Sequence, residues 1–536
     1  MDITLVAVNS KYIHTNPAVR SIKYYIEKQG FSAEICEFSG KEELHRAASK
    51  IARIDSAVVA FSCYIWNIDY IIKLAQTVKK SAPYKKIVFG GPEAYCNAEK
   101  LLSKYPFIDA IISGEGEKAT LDLLKNGIKE KIIVGETVEL SELGFIYSEE
   151  DLKDKNRIFY YESSRGCPYN CSYCLSCITK GVRFKDVKQV KEELEKFDSS
   201  GVRLVKFIDR TFNADMKRAK RILEIIKNLS GETEFHIEIN PDSIDEEFVY
   251  MLGQIKKGRI RVEAGLQSIN PDTLAAVNRS CNLERIIKNV RAIKKEGVTI
   301  HLDLIAGLPH EDLKSFKKSF NFAFGLYPDE LQLGFLKVLP QTELSCAALE
   351  YGLVYDEFPP YEIISTKVLC AEDVELLKNV ESVVDIYHNS GVLVYSEEKL
   401  LEKFDSPFEM FNALADYLSD RGHLDFPQHK AKYISFLYDF ARGFGLEEEI
   451  TKDFFLNIKG GKPYWYKEKQ ELEKVKITCI LSEGKFDSLP ELLNIKPQNR
   501  HKFIKFYRYL NKVFLVSYPD RKIEDITEKY NEIKRL

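Results

Sequence analysis

The sequence predicts an α/β protein in three parts: a doubly wound domain, a partial (β/α)6 barrel and a mainly α-helical C-terminal domain. Three observations carry this prediction. Residues 1–135 and 158–345 each alternate short apolar, β-branched runs with helical stretches, the pattern of parallel strands covered on both faces. A polar, acidic stretch at 136–157 separates the two series and reads as a linker. Beyond about residue 345 the strand signal gives way to charged, aromatic-rich helical text, which assigns 346–536 to the third part. A chain of 536 residues also exceeds what one hydrophobic core can organise.

In the first domain, "ITLVAV" (3–8), "SAEIC" (32–36), "AVVAF" (57–61), "KIVF" (86–89), "AIIS" (110–113) and "KIIV" (131–134) read as strands. The helix over 17–29 opens with Asn16 as cap and Pro17 as its first residue. Together these describe a Rossmann-like sheet, whose ligands bind at the carboxyl ends of the strands. In the second domain, strands are expected at 158–162, 203–208, 234–239, 259–264, 299–305 and 330–336, with helices at 187–198, 215–229, 245–256, 283–296 and 312–325. Six such units make an open or partial barrel, short of the eight in a closed one. In the tail, "KPQNRHKFIKFYRYLNK" (496–512) interleaves basic and aromatic residues. A nucleic-acid surface and an amphipathic helix burying Phe503, Phe506 and Leu510 both fit; the helix is preferred because the overall charge is balanced.

The net charge of −3 gives no global reason to expect a nucleic-acid partner, and no apolar run reaches a membrane span. The start lacks the pattern of a signal peptide, so a cytoplasmic location is expected. The eleven cysteines are then free thiols or metal ligands, not a disulfide framework.

Four of them crowd "SSRGCPYNCSYCLSC" (163–177), directly after the first strand of the barrel. Cys167, Cys171 and Cys174 have the spacing C-x3-C-x2-C, and ligands this close wrap a compact metal centre from one loop. A structural zinc site usually closes with four ligands in two separated pairs, and no matching Cys/His pair follows here. Cys177 is read as a bystander. Three ligands leave one iron of a 4Fe-4S cluster open.

With Tyr173 as the aromatic before the third cysteine, this loop resembles the signature of the radical S-adenosylmethionine (radical SAM) enzymes. The resemblance implies that Cys167, Cys171 and Cys174 are catalytic and hold a 4Fe-4S cluster. Its open iron chelates S-adenosylmethionine, and one electron cleaves the sulfonium to a 5′-deoxyadenosyl radical. It also implies an external one-electron reductant such as flavodoxin or ferredoxin. "IEINPDSI" (237–244), "GLQSINPDTLAAVNR" (265–279) and "LDLIAGLP" (302–309) resemble the branch containing oxygen-independent coproporphyrinogen oxidase. That likeness gives Glu238, Gln267, Arg279 and Asp303 as S-adenosylmethionine contacts, beside Tyr173, with Arg279 forking onto the methionine carboxylate. "FIDRTFN" (207–213) replaces the usual glycine-rich turn, and Asp209 is expected to take over contacts there.

The first-domain loops "NSKYIHTNP" (9–17), "SCYIWN" (62–67), "GGPEAY" (90–95) and "SGEGE" (113–117) are similar to the cobalamin-binding domain that precedes many such barrels. The resemblance implies cobalamin contacts from Ser10, Tyr12, His14, Ser62, Gly90, Gly91, Glu93, Gly114, Glu115, Gly116 and Glu117. No D-x-H-x-x-G segment is present, so no histidine of that motif ligates cobalt; no G-x-G-x-x-G follows the first strand, which disfavours nicotinamide or flavin.

The family so implied is a cobalamin-dependent radical enzyme, most simply a methyltransferase acting through methylcobalamin on an unactivated carbon of a small molecule or peptide. Three alternatives stand beside it. One is a cobalamin-dependent cyclase or rearrangement enzyme. The second is an RNA-modifying methylthiotransferase, with Cys36, Cys63 and Cys96 mimicking a second cluster site but the required cysteine after the first strand missing. The third is a corrinoid- or RNA-binding protein with a vestigial barrel.

Overall fold

A computed structural model describes residues 1–178, 181–467, 472, 480 and 488–532. The chain separates into two compact units, residues 1–328 with 333–374, and residues 329–332 with 375–536. Among the described residues no helix is long and apolar enough to cross a membrane.

The first unit begins with six strands: β1 (Ile3–Asn9), β2 (Ala33–Ser39), β3 (Val58–Ser62), β4 (Lys86–Gly90), β5 (Ala110–Gly114) and β6 (Ile132–Gly135). They pair in parallel in the order β2-β1-β3-β4-β5-β6. Helices α1 (Pro17–Glu27), α2 (Leu44–Arg53), α3 (Ile68–Ser81), α4 (Pro92–Cys96), α5 (Ala98–Lys104) and α6 (Gly116–Asn126) alternate with them. All seven residues of β1 are buried, as a central strand with both faces covered requires. Asn16 caps α1, its Oδ1 accepting from the Val19 amide at 3.2 Å, and Pro17 occupies the first turn. Between β1 and β3 the strand order reverses, which opens a crevice at their carboxyl ends.

A second sheet follows in the order β14-β13-β12-β11-β10-β7. Its strands are β7 (Ile158–Tyr161), β10 (Leu204–Phe207), β11 (Glu234–Ile239), β12 (Ile260–Gln267), β13 (Thr299–Ala306) and β14 (Glu330–Phe335). A short hairpin, β8 (Ser164–Gly166) with β9 (Val182–Phe184), carries the cysteine loop. Helices α7 (Val187–Ser200), α8 (Met216–Asn228), α9 (Glu246–Gly253), α10 (Pro271–Ala276), α11 (Leu283–Lys295) and α12 (Leu313–Phe324) fill the five connections between these strands, with α10 and α11 sharing the one from β12 to β13. The acidic stretch 136–157 is no solvent-exposed tether. Val138, Leu140, Leu143, Tyr147 and Leu152 anchor it in buried positions. A short helix α13 (Glu343–Cys346) and a hairpin, β15 (Val354–Tyr355) with β16 (Ile363–Ser365), end this unit.

The second unit is mainly helical, with α14 (Ala371–Val384), α15 (Glu397–Leu401), α16 (Pro407–Ser419), α17 (Lys430–Phe440) and α18 (Glu447–Asn457). Here one expectation fails. Residues 496–512 do not form an amphipathic helix but a short helix (Pro497–Arg500) and the first strands of an antiparallel sheet: β17 (Ile504–Tyr509), β18 (Lys512–Ser517) and β19 (Lys522–Asp525). Phe503 and Leu510 are exposed, while Ile504, Tyr507 and Tyr509 are buried. The two residues between β17 and β18, Leu510 and Asn511, both have positive φ (48° and 64°), as a tight hairpin turn demands.

At the end of β6 a Cβ on Gly135 would lie 2.0 Å from the Glu115 carbonyl oxygen. Gly135→Ala therefore destabilises the protein by about 2 kcal/mol or more, from the cost of forcing atoms into a packed site; comparison of chemical denaturation midpoints checks this.

Candidate active site

Residues from both sheets open onto one cavity of about 820 Å3. The first-domain loops contribute Asn9, Ser10, His14, Tyr64, Trp66 and Gly114–Glu117. The barrel contributes Tyr160, Ser164–Gly166, Leu175, Ser176, Arg210 and Glu238. A smaller apolar slot of about 190 Å3 continues into the first domain between Leu5, Ala60, Val88, Ile112 and the glycines 90, 91, 114 and 116.

The cysteine loop is fixed from beneath. Gly166, with φ of 105°, has no room for a Cβ, which would meet the Gly181 carbonyl oxygen at 2.2 Å. Asp209 does not face the cavity. Its buried carboxylate accepts from the Ser163 amide at 2.7 Å and from the Ser163 and Ser164 hydroxyls at 2.6 and 2.7 Å. Burial raises its pKa, and these donors oppose the shift. Asp209 thus braces the strand that leads into the cysteines. Of the thiols, Cys171 is buried and Cys167 and Cys174 are half-buried. Polar groups from three elements approach them: Arg279 Nη1 donates to Cys171 Sγ at 3.8 Å, the Ser176 amide lies 3.4 Å from Cys174 Sγ, and the Thr211 hydroxyl lies 3.6 Å from Cys167 Sγ. Cys177 lies where side chains are outside the described residues. No three His, Cys, Asp or Glu side chains among the described residues converge as ligands of one ion. An iron–sulfur cube asks something else of a loop, one thiolate at each of three corners. The three donor-facing sulfurs on a braced loop fit that demand.

Four expected S-adenosylmethionine contacts cluster at the carboxyl ends of β11 to β13. Glu238 on β11 pairs in register with Glu263 on β12, and Gly265 with Asp303 on β13. Gln267 follows a bulge in β12 and has φ of 69°. A glutamine in that region is strained, and such strain gathers at ligand sites. A Cβ on Gly265 would lie 2.3 Å from Gln267 Nε2, so glycine is what lets this side chain cross the strand. Gln267 Oε1, Arg279 Nε and Asp303 Oδ1 are buried without a hydrogen-bond partner; Asp303 Oδ1 is 3.2 Å from His301 Nε2. Buried polar atoms ordinarily have partners, so the unpartnered Gln267 Oε1 and Arg279 Nε, whose side chains meet around Gly265, mark a place for a polar ligand. The Arg279 fork is otherwise engaged: Nη1 with Cys171 Sγ and Nη2 with the Gly265 carbonyl, which leaves Nε without a partner. Tyr173 is packed among apolar side chains beside the pocket.

The barrel lumen also holds ionisable residues that the motif comparison passed over. Lys206 reaches Glu263 at 2.9 Å and Glu238 at 3.6 Å, and His236 Nε2 lies 2.9 Å from Glu263. Burial works against the Glu263 charge, but His236 and Lys206 outweigh it and hold the pKa at about 2. Burial, followed by the charge of Glu263, raises Glu238; burial with Glu263 and Glu238 raises Asp303 strongly. Of the polar lumen positions, His236 and Glu238 are visible two apart in "FHIEI", and His301 and Asp303 in "IHLDL", the lumen-facing phase of otherwise apolar strands.

The first-domain residues divide. Ser10, His14, Gly114, Glu115, Gly116 and Glu117 line the large cavity, and Ser62, Gly90 and Gly91 line the slot. His14 Nδ1 is 2.7 Å from the Tyr160 hydroxyl, and burial lowers its pKa. Gly91, with φ of 97°, brings backbone to Cys63, where a Cβ would meet the carbonyl oxygen at 2.6 Å. Thr120 Oγ1 is buried in the slot without a partner. A long cavity with a glycine-walled apolar slot and one orphaned hydroxyl fits a large corrinoid with a tail. Tyr12 and Glu93 lie outside both linings. The Tyr12 hydroxyl donates to Asp154 at 3.1 Å, and Arg157 sits over its ring. Glu93 accepts from the Tyr361 hydroxyl at 2.5 Å. Glu115 and Glu117 also bind Arg165, at 2.9 and 3.0 Å.

Comparison with known proteins places three families along the chain. Residues 3–124 match the B12 binding domain, 161–323 the radical SAM superfamily, and 349–530 a family described as protein of unknown function (DUF4080). A cobalamin-dependent radical SAM methyltransferase, TokK of Streptomyces tokunonensis, is 25% identical over 340 residues, 56% of this chain and 50% of that protein. The chain spans about half the length of the first curated relatives it matches. Among solved structures, the cobalamin-dependent S-adenosylmethionine radical enzyme OxsB, with aqua-cobalamin bound, superposes with TM-score 0.60 over 85% of this chain and 78% of that one, at 16% identity. The radical S-adenosylmethionine methyltransferase TsrM of Kitasatospora setae, with tryptophan and a SAM analogue, gives TM-score 0.57 over 66% and 77%, also at 16% identity. At that identity the likeness is one of fold.

Two predictions follow from the pocket. Gln267→Gly relieves the positive φ and stabilises the protein by about 1 kcal/mol while weakening S-adenosylmethionine binding, measured by denaturation and by equilibrium dialysis. Behind the bulge, Glu311 accepts from Ser268 and Ser319, and burial lifts its pKa to about 7. Its folded-state pKa is raised, so the stability it contributes is fully present below the unfolded value and is lost as pH rises through 7. Wild type thus loses about 3 kcal/mol relative to Glu311→Gln between pH 4.5 and 7.5, read from paired denaturation series.

Proposed function

From the premise that this chain is a cobalamin-binding radical SAM enzyme, joining a B12 binding domain to a radical SAM domain, we propose that it is a methyltransferase acting on an unactivated carbon of a small molecule or peptide. The observation that carries the reading is the single cavity walled by both the first-domain loops and the cysteine hairpin. A methyl carrier and a radical source must address the same substrate atom, and one shared space for both satisfies this.

Cys167, Cys171 and Cys174 would hold the 4Fe-4S cluster, and the glycine-walled slot with the β1 and β5 loops would hold cobalamin. When bound, the cluster supplies the electron that cleaves S-adenosylmethionine, and cobalamin supplies methyl-carrying chemistry. The chain's own residues do the rest. Gln267, Arg279 and Asp303 offer the ligand one acceptor amide oxygen, one donor N–H and one carboxyl oxygen. Glu238, on the cavity wall, stays beside Lys206, which compensates its charge and keeps it available as an acceptor. Asp209 and the Arg279 contact with Cys171 keep the loop in place under the ligand. A flavodoxin- or ferredoxin-type donor would supply the electrons.

Anaerobically reconstituted protein, given S-adenosylmethionine and a low-potential reductant, is expected to release 5′-deoxyadenosine. Cys167→Ala, Cys171→Ala and Cys174→Ala are each expected to lower that rate by about 100-fold or more, since the reacting group is lost with its ligand. No 5′-deoxyadenosine from cluster-loaded wild type would sink the reading. Its release with a cobalamin-dependent product that lacks a new methyl group would move the assignment to a rearrangement or cyclisation.

A further inference from the structure

We infer that the β15–β16 hairpin, which lies within the stretch matching the family of unknown function, is a latch that sets the cofactor wall of the first domain through Tyr361 and Glu93. The two residues are 268 positions apart, yet the Tyr361 hydroxyl donates to Glu93 Oε1 at 2.5 Å. Asn97 Nδ2 completes the triad, 3.2 Å from the Tyr361 hydroxyl and 3.0 Å from Glu93 Oε1. Both Tyr361 and Glu93 are buried. Burial raises the carboxyl pKa, so only a partner placed in advance makes this position tolerable for glutamate.

The hairpin side is built to hold that partner. Tyr361 has φ of 58°, a conformation tyrosine rarely adopts, and both its backbone groups are tied: its N–H donates to Phe358 O at 2.8 Å, and its carbonyl accepts from Val338 at 2.9 Å. Strain of this kind persists where the surroundings over-determine it, and it aims the ring out of the hairpin. A second tie runs alongside, Gln341 Nε2 donating to the Cys96 carbonyl at 3.1 Å. Between them the two ties hold both ends of α4.

Helix α4 is the wall in question. Pro92, its first residue, lines both the large cavity and the slot, Gly91 before it lines the slot, and Tyr95 lines the cavity. The Glu93 amide donates back to the Cys63 carbonyl at 3.3 Å, so Glu93 couples its partner Tyr361 to the turn whose flanking residues, Ser62 and Tyr64, line the slot. Glu93 and Tyr361 touch neither cavity, and they are positioning residues. A first-domain loop that reads as a ligand contact is thus shaped by the third family's stretch, and that stretch acquires a role in admitting the cofactor.

The inference rests on the reading that this cavity takes a corrinoid, and the test separates the two. Purified full-length protein is dialysed against hydroxocobalamin, with iron content measured on the same reconstituted samples. Tyr361→Phe removes one hydroxyl, leaves Glu93 with its Asn97 donor, and is expected to weaken binding about fivefold, the range for losing one hydrogen bond. Glu93→Gln, which keeps an acceptor for that hydroxyl, is expected to stay within about twofold of wild type, and Gln341→Ala to fall by about threefold. Iron content is expected to stay unchanged throughout. Wild-type affinity in both Tyr361→Phe and Gln341→Ala overturns the latch, as does joint loss of iron and cobalamin, which signals general damage. A wild type that binds no hydroxocobalamin sinks the corrinoid reading, and the latch with it.

Discussion

The first unit depends on one guanidinium. Arg165 stands two residues before the first cysteine of the loop and binds Glu162 beside it, at 2.7 Å. It also reaches across to Glu115 and Glu117 at the start of α6. Three carboxylates converge on one half-buried arginine, so loss of Arg165 would leave acidic groups facing one another around the loop. The arrangement joins the metal-binding loop to the domain that faces it. Arg183, from the other strand of the hairpin, binds Glu115 as well. Both strands around the cysteines are thereby anchored to the same first-domain turn. A cavity shared by two domains keeps its dimensions only if the domains do not drift, and this charge cluster resists drift where drift would matter most.

The barrel lumen solves a different problem. Apolar strands normally turn apolar residues inward, but a polar ligand needs acceptors and donors there. Lys206, His236 and Glu263 form a compact, mutually compensated set. Compensation frees Glu238 and Asp303 to present oxygen to the pocket instead of seeking partners among themselves. The strained Gln267 turn is supported in the same spirit. Ser268 donates to Glu311 at 2.6 Å, Ser319 donates to the same oxygen at 2.9 Å, and Ile269 donates its amide to Ser319 at 3.2 Å. The Gln267 turn thus rests on a hydrogen-bonded support behind it, while Gln267 Oε1 itself has no partner.

Much of this was legible in the sequence, for reasons that can be named. Strand and helix alternation survives in the text because buried parallel strands admit little except apolar residues. Asn16-Pro17 marked a helix start because capping is a local interaction. The cysteine loop stands out in the text because its three thiols come from one turn and are therefore close in sequence. What local text hides is the partner far along the chain. Glu93, Glu115 and Glu117 read as ligand contacts, whereas the structure engages them with Tyr361 and Arg165. Asp209 read the same way and instead braces Ser163 and Ser164. The tail failed for a different reason. Phe503, Phe506 and Leu510 have helical spacing, while the Leu510-Asn511 turn lacks the glycine that usually announces a hairpin with two positive φ angles.

These hidden partners share a pattern. Each acidic loop residue was assigned to a cofactor, and the structure shows several occupied by the protein itself. That division follows from dielectric physics. A carboxylate that touches only an uncharged amide-rich ligand gains little from its charge and suffers desolvation; one that meets a buried arginine or a fixed hydroxyl is compensated before any ligand arrives. Surfaces for a large, mostly neutral cofactor are therefore best made from glycine backbone, apolar walls and isolated hydroxyls, as in the slot with Thr120. Charges belong in the struts behind them. The barrel pocket inverts the rule because its expected ligand carries charge, and there the orphaned atoms are those of an arginine, a carboxylate and an amide. The contrast between the glycine-walled slot and the barrel strand ends is thus a consequence of what each has to face.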